Sequence, residues 1–373
     1  EIAVWRSSDA GDTFERKTYG YTNEPVANIH VDQHFLRYFN NKLYVGNDGG
    51  IYESSDSGDN YNDLTENLNI SQYYRIGTGR NSVDNIAGGL QDNGGFGFSN
   101  GTWYNYHGGD GMDCAVDPND PNIYYGFTQF GGSLNVTYNG GASGSGVTSA
   151  PSDETGSDDS GGNWVTPLEM DHEGNVYAGY SKLYKLEDRS WEAVSEDVFG
   201  GDLRNVAFAA TDKQIVYVSR TNRLFKSLDG GVTFEEIDFD FTNNISSIEI
   251  NHQNSDVIYI SSGGSSGGNI SRSAEFGQNW KVYKSVDGGA EWTDITLNLP
   301  SEPQFVIKHQ DQSPLNDLYL GTSVGVYHIN DNMAEWEVFD LDLPNVPVVD
   351  LSINTEEATI TAGTYGRGVW QSP

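Results

Sequence analysis

"SVDGGAEW", Ser285 to Trp292, decides how this chain is read. Its form is Ser-x-Asp-x-Gly-x-x-aromatic. The form recurs as "SSDAGDTF" at Ser7–Phe14, "SSDSGDNY" at Ser54–Tyr61 and "SLDGGVTF" at Ser227–Phe234. A catalytic residue is needed once, whereas a turn is needed once per structural repeat, so recurrence argues for scaffold. The residue types fit a tight turn between two strands. An Asp carboxylate accepts hydrogen bonds from nearby backbone N–H groups. Gly takes a positive φ without penalty. Ser adds a local hydrogen bond, and the aromatic is expected to bury beneath the turn. The expected structural residues are Ser7, Asp9, Gly11 and Phe14; Ser54, Asp56, Gly58 and Tyr61; Ser227, Asp229, Gly231 and Phe234; and Ser285, Asp287, Gly289 and Trp292.

Working outward, each octapeptide sits in a longer repeat. Short apolar runs ending in Gly or Ser recur, among them "KLYVGND" from Lys42, "NIYYGFTQ" from Asn122, "NVYAGYS" from Asn175, "VIYISSG" from Val257 and "DLYLGTS" from Asp317. Their spacing is about 40 residues, the period of four short strands with their turns, which is the unit of a β-propeller blade. A second strand follows each run, then the turn, then a strand carrying an aromatic. The chain of 373 residues with 45 Gly and 22 Tyr has an all-β composition. The expected fold is a single β-propeller over residues 1–373, with seven or eight four-stranded blades. Strands from the two termini are expected to close the ring and remove the exposed edge. Residues 139–163 read as a flexible Gly/Ser/Asp-rich insertion, a loop that could also hold an ion. "SDDSGGNW", Ser157–Trp164, and "SAEFGQNW", Ser273–Trp280, are looser versions of the octapeptide. The chain opens in the middle of a repeat, and a trimmed or mature fragment is expected.

Charge narrows the partners. There are 54 acidic against 20 basic residues, a net −34. That field repels phosphate backbones, so nucleic acid is not an expected partner. It could attract Ca²⁺, which takes carboxylate oxygen, and no other cofactor is expected. No run approaches the roughly 18 apolar residues of a membrane helix, so no insertion into a membrane is expected. Cys114 is the sole cysteine, which excludes an internal disulfide, and its spacing in "DCAVDP" fits a buried strand position.

The four octapeptides resemble the Asp-box, or BNR, repeat of sialidases, sortilin-type receptors and xyloglucan-hydrolysing two-propeller enzymes. That resemblance implies propeller blades with structural boxes on the outer rim. A second resemblance rests on "DQHFL" at Asp32, "VGNDGGIYES" at Val45, "ISQYYRI" at Ile70, "GGLQDNG" at Gly88, "GGDGMDCAVDP" at Gly108 and "GTYGRGVW" at Gly363. In this order they are similar to large secreted, sortilin-like or glycosyl-hydrolase-like BNR proteins of Bacteroidota. The resemblance implies an extracellular or cell-surface protein exported by the type IX route. A sialidase would need an Arg cluster and an Arg-Ile-Pro motif, and the sequence has no such motif.

Outside the boxes, "GNDGG" (Gly46–Gly50), "LQDNGG" (Leu90–Gly95) and "HGGDG" (His107–Gly111) border strands of consecutive repeats. Asp48, Asp92 and Asp110 are the candidate carboxylates for glycoside hydrolysis, which needs an acid and a base or nucleophile across one bond. Gln91, Asn93, His107, Tyr365 and Arg367 are the candidate binding groups, Tyr365 and Arg367 joining them if the ring closes. The same residue types also make ordinary turns. The expected function is a secreted or surface binding module for a protein or glycan, or for other parts of a larger secreted chain. The alternative is a glycoside hydrolase using the rim carboxylates.

Overall fold

The computed structural model describes residues 2–20, 29–80, 82–154, 161–263, 279–339 and 342–373. They form two compact units, residues 1–70 and 71–373, rather than the one domain expected from the repeats. Nearly all regular structure is antiparallel sheet.

The first unit holds two sheets. A hairpin pairs β1 (Trp5–Arg6) with β2 (Glu15–Arg16), and a four-stranded meander joins β3 (Gln33–Phe39), β4 (Lys42–Asn47), β5 (Gly50–Ser54) and β6 (Asn62–Asp63). Val4, Ile29 and Val45 form its small core. Lys17 Nζ lies 2.6 Å from Asp59 Oδ1 and Arg6 lies 3.2 Å from Asp59 Oδ2, tying the hairpin to the β5–β6 turn.

The second unit holds seven sheets in chain order. Sheet I is β7 (Tyr73–Gly79), β8 (Ser82–Leu90), β9 (Gly94–Ser99) and β10 (Thr102–His107). Sheet II is β11 (Gly111–Val116), β12 (Tyr124–Thr128), β13 (Ser133–Thr137) and β14 (Gly146–Ser149). Sheet III is β15 (Leu168–Met170), β16 (Val176–Gly179), β17 (Leu183–Glu187) and β18 (Ser190–Ala193). Sheet IV is β19 (Asn205–Phe208), β20 (Val216–Arg220), β21 (Arg223–Ser227) and β22 (Glu235–Glu236). Sheet V is β23 (Ile245–Ile250), β24 (Ile258–Ser262), β25 (Val282–Ser285) and β26 (Thr293–Asp294). Sheet VI is β27 (Gln304–His309), β28 (Leu318–Thr322), β29 (Gly325–Ile329) and β30 (Glu337–Val338). Sheet VII has three strands, β31 (Val348–Asn354), β32 (Thr359–Thr364) and β33 (Val369–Ser372).

The first strands of these sheets neighbour one another in a closed circle, β31 packing on β7. Asp350 Oδ2 accepts the Ile76 N–H at 2.9 Å, Thr78 and Ser352 hydroxyls meet at 2.6 Å, and Gln72 bridges Tyr365. Closure therefore lies within residues 71–373. Among the described residues the expected pairing of an N-terminal strand with the last sheet is not found: β33 is an edge strand, and the described strands of the first unit pair among themselves. Side chains on the first strands join the last sheet to the first, so no shared sheet is needed.

The octapeptides form the same local structure four times. In each, the Ser hydroxyl donates to the Asp carboxylate and accepts the N–H of the Gly, as in Ser227 to Asp229 at 2.8 Å and Gly231 to Ser227 at 2.9 Å. The Asp then accepts an N–H four residues on, as from Thr13, Asn60, Thr233 and Glu291. These donors stabilise the ionised form. Side-chain hydrogen bonds from Thr13, Asn60 and Thr233, reinforced by backbone N–H groups, hold Asp9, Asp56 and Asp229 down to about 2. Three of the turns join the third and fourth strands of a sheet, and the first joins β1 to β2. The aromatic packs beneath the turn at Tyr61, Phe234 and Trp292 but not at Phe14, which is 62% exposed. Its hairpin has two strands and offers no sheet for the ring to lie on.

A fifth turn of this form uses other residues. Thr137 stands in the Ser position and Asn139 in the Asp position: Thr137 donates to Asn139 at 2.8 Å, and Asn139 accepts the Ser143 N–H at 3.0 Å. It leads into β14, which pairs with β13. The flexible insertion expected at 139–163 is thus corrected. Its first part is the turn and last strand of sheet II, because an amide oxygen caps the backbone as a carboxylate does. Residues 155–160 of that stretch, with the first half of "SDDSGGNW" and most of "SAEFGQNW", lie outside the described residues.

Candidate functional site

The turn after β8 carries Gln91, Asp92 and Asn93, and it is held from several sides. Asp110 Oδ1 accepts the Asp92 N–H at 2.6 Å, and Gln129 Oε1 accepts the Asp110 N–H at 3.2 Å. Asn93 Nδ2 donates to the Gln91 carbonyl at 2.8 Å. The Gln91 side-chain oxygen accepts two tyrosine hydroxyls, Tyr74 at 3.0 Å and Tyr365. Gln91 is thereby fixed between sheet I and sheet VII. Asp92 keeps φ at +60°, a conformation that Asp tolerates better than most residues.

Aromatic rings stand beside this amide cluster. The Tyr74 ring lies 5.7 Å from that of Tyr365 and 6.3 Å from that of Trp164. Phe130 meets Trp164 edge to face at 5.1 Å. Phe130 sits at φ +59°, which is costly for an aromatic residue, on the order of 1–3 kcal/mol. Two backbone hydrogen bonds hold it there, its N–H to the Trp164 carbonyl at 3.1 Å and the Gly162 N–H to its own carbonyl at 2.9 Å. A half-buried aromatic held in a strained conformation by a neighbouring loop is a feature that recurs at ligand sites.

The structure brings Gln91, Asp92, Asn93, Asp110 and Tyr365 together. Asp48 belongs to the first unit, where its carboxylate lies 2.6 Å from His34 Nε2. His107 is a buried residue of β10, its Nδ1 within 3.0 Å of the Gly108 carbonyl and its ring against Tyr106. Burial lowers its pKa, so it stays neutral as a packing group. Arg367 is exposed on the β32–β33 turn, where its N–H donates to Thr364. Sequence reasoning missed Tyr74, Gln129, Phe130 and Trp164. Only an unpaired aromatic in the polar "TQFGG" (Thr128–Gly132) could have pointed to Phe130.

A second feature lies along the ring axis, a cavity of about 660 Å³ walled by the first strands. Each sheet contributes at least one polar side chain to its wall, among them Arg75, Asp113, Glu169, Asn205, Glu249, Lys308 and Asp350. Of these, four are carboxylates and two are cations. Burial pushes Asp113 up to about 6 and Glu169 up to about 7, and it also raises Asp350. Burial alone would lower Lys308, but the surrounding carboxylates, Glu249 first, outweigh it and its pKa rises.

Three of the acids reach to the next sheet. Asp113 accepts the Leu168 N–H at 3.0 Å, Glu249 the His309 N–H at 2.9 Å, and Asp350 the Ile76 N–H. Asp113 and Asp350 sit at register shifts of their strands, where a bulge turns the side chain out of the regular ladder. These acids are staples between sheets. Among the described residues no group of three or more His, Cys, Asp or Glu is placed to hold a metal ion. Among the described residues no helix is long and apolar enough to cross a membrane.

No protein-family model matches the chain, and no curated protein matches its sequence. Among solved structures it is similar to the GH74 xyloglucanase from Xanthomonas campestris, with a TM-score of 0.64 and 16% sequence identity. The match covers 82% of this chain and 52% of that one, so this chain spans about half that protein's length. Identity that low speaks for the fold alone. With the closed circle of small antiparallel sheets, it makes this chain a β-propeller protein.

Proposed function

We propose that the second unit is a seven-bladed propeller acting as a binding module, and that it takes a glycan on the rim around Gln91. The observation that carries this reading is the strained Phe130 beside Trp164, next to an amide fixed by two tyrosine hydroxyls. Aromatic faces and fixed hydrogen-bonding groups suit a ligand with apolar faces and many hydroxyls. The octapeptides act as Asp-box turns of BNR type and serve the scaffold. The reading extends to a secreted or surface-exposed protein, akin to sortilin-like BNR proteins.

Glycoside hydrolysis is the second reading, favoured by the xyloglucanase sharing this fold, an analogy at fold level. Against it, hydrolysis needs two carboxyl groups roughly 5–10 Å apart facing one bond. Asp110 instead commits an oxygen to the Asp92 N–H, and Asp48 belongs to the other unit.

The test is a glycan array probed with the full chain, followed by calorimetric titration of the best oligosaccharide. Phe130→Gly relieves the strain and removes the ring, and it is expected to weaken binding at least tenfold without loss of fold. Incubation with the same oligosaccharide should release no products. No glycan bound, or equal binding by Phe130→Gly, defeats the glycan reading and leaves a protein partner. Product release that stops in Asp92→Asn would establish the hydrolase.

A further inference from the structure

The loops that follow the first strands of the ring meet at one mouth of the axial cavity. Asn354, at the end of β31, donates to the Arg80 carbonyl just past β7 at 3.1 Å. Asn119, past β11, donates to the Glu173 carbonyl past β15 at 3.2 Å, and Lys213, past β19, lies 2.8 Å from Glu173. Asn251, past β23, donates to His309 Nε2 at the end of β27 at 3.0 Å. All of these residues belong to the second unit.

This mouth gathers basic groups. Three of the chain's seven histidines, His172, His252 and His309, line the cavity here together with Arg80. They come from four different sheets. His172 lies within electrostatic reach of Arg80 and His252, and the rings of His252 and His309 meet edge to face at 5.6 Å. His309 adds an unsatisfied donor. Asn251 Oδ1 accepts the N–H groups of Gln253 and Asn254, so its Nδ2 must be the atom that donates to His309 Nε2. The proton of the neutral imidazole therefore sits on Nδ1. His309 is 1% exposed, and its Nδ1 has no hydrogen-bond partner. A buried N–H without an acceptor leaves positive potential that an acceptor would satisfy.

The acids at this mouth are partly committed. Asp171 accepts the N–H groups of Glu173 and Asn175. Glu249 accepts the His309 N–H and lies 3.8 Å from Lys308 and 3.6 Å from His252. Asp311 and Glu356 then face Arg80, His172 and His252 across the cavity wall. With both imidazoles neutral, two acids outweigh one cation. With both protonated, three cations outweigh two acids. Burial, then Arg80 and His252, lower the His172 pKa, so the ring resists charge until an anion balances it.

We propose that this mouth is a proton-linked anion site, in which Arg80, His172 and His252 hold the carboxylate or phosphate group of a small molecule whose remainder enters the axial cavity. Charged N–H donors suit an oxyanion. The cavity, about 660 Å³, is of the size that holds small molecules. A metal ion does not fit: among the described residues no group of ligands is placed to hold one, and Arg80 would repel it. The site is separate from the rim around Gln91.

Calorimetric titration of the full chain with sulfate tests this, because sulfate keeps its charge between pH 6 and pH 8. Saturable binding is expected at pH 6, with proton uptake read from the heats in two buffers, and it should weaken at least fivefold by pH 8. Arg80→Gln and His252→Gln should each weaken binding at least fivefold. Asp311→Asn removes an opposing charge and should tighten it. Arg80 stands on the turn after β7, so its variant keeps the test decisive if His252→Gln misfolds. Phe130→Gly should bind sulfate as the parent does. Phosphate and succinate, compared as dianions, then tell a phosphate ligand from a carboxylate one. No saturable binding of any of the three overturns the proposal. So does binding that ignores both pH and Arg80→Gln, or binding lost in Phe130→Gly, which would put the anion on the rim.

Discussion

The carboxylate of Asp350, in the last sheet of the ring, accepts a hydrogen bond at 2.9 Å from the backbone N–H of Ile76, in the first. The two residues are 274 positions apart, so this bond closes the ring. Asp350→Ala should leave that buried N–H without an acceptor and cost about 1–3 kcal/mol. Asp350→Asn keeps an acceptor oxygen and sheds a charge whose burial is unfavourable, so at pH 8 it should be at least as stable as the parent. Urea midpoints give the order. If Ala and Asn unfold alike, the staple carries no weight and packing alone closes the ring.

The turn residue Gly231 offers a test of the scaffold. Its φ is +92°, and an added Cβ would lie 2.5 Å from Leu183 Cδ2 in the neighbouring sheet III. Gly231→Ala should therefore suffer both backbone strain and a clash, on the order of 1–3 kcal/mol or more. Leu183→Val removes the clashing methyl. In a double-mutant cycle, Gly231→Ala should cost less in the Leu183→Val background than in the parent. Additive costs would show that strain at the turn, and not contact between sheets, sets the requirement for glycine.

Much of this architecture was legible in the sequence, for a physical reason. A turn needing a positive φ and a carboxylate cap leaves Ser, Asp and Gly at fixed spacing, and a half-buried strand leaves alternation. Both survive as patterns, so the all-β propeller could be read from "SLDGGVTF" and "DLYLGTS". What escaped was set by partners distant in the chain. Thr137 and Asn139 make the same turn with different atoms, and the Ser-x-Asp pattern does not find them. Tyr74 and Trp164 reach the rim from other sheets, and nothing local marks them. The division at Ile70 was hidden because residues on both sides of it carry the same repeat. The axial acids did leave a trace, a single charge inside an apolar run, as in "SSIEINH" and "VVDLSIN". A charge there requires a buried partner, and the first strand is where it finds one.

Glu169 allows a pH test whose sign follows from its environment. Burial raises its carboxyl to about 7, above the roughly 4.3 of an unfolded chain. The folded state therefore binds more protons between those two values, and stability falls as pH rises through that window. The cost is fully present above pH 7 and absent below about pH 4. Glu169→Gln keeps the oxygen that accepts the Met170 N–H and loses the titration. It should be more stable than the parent at pH 8, by on the order of 1–3 kcal/mol, and the gap should narrow steadily as pH falls to 5. Buried histidines act in the opposite sense. Burial lowers His309, whose neutral form is favoured in the fold, so its contribution is lost as pH falls through about 6.5. Parent and variant share His309, so its effect cancels in the difference between them. Urea unfolding of both proteins at half-unit steps from pH 5 to pH 8 isolates the carboxylate. A difference that stays flat across that range would mean that Glu169 is solvated in the axial cavity and titrates as an ordinary surface acid.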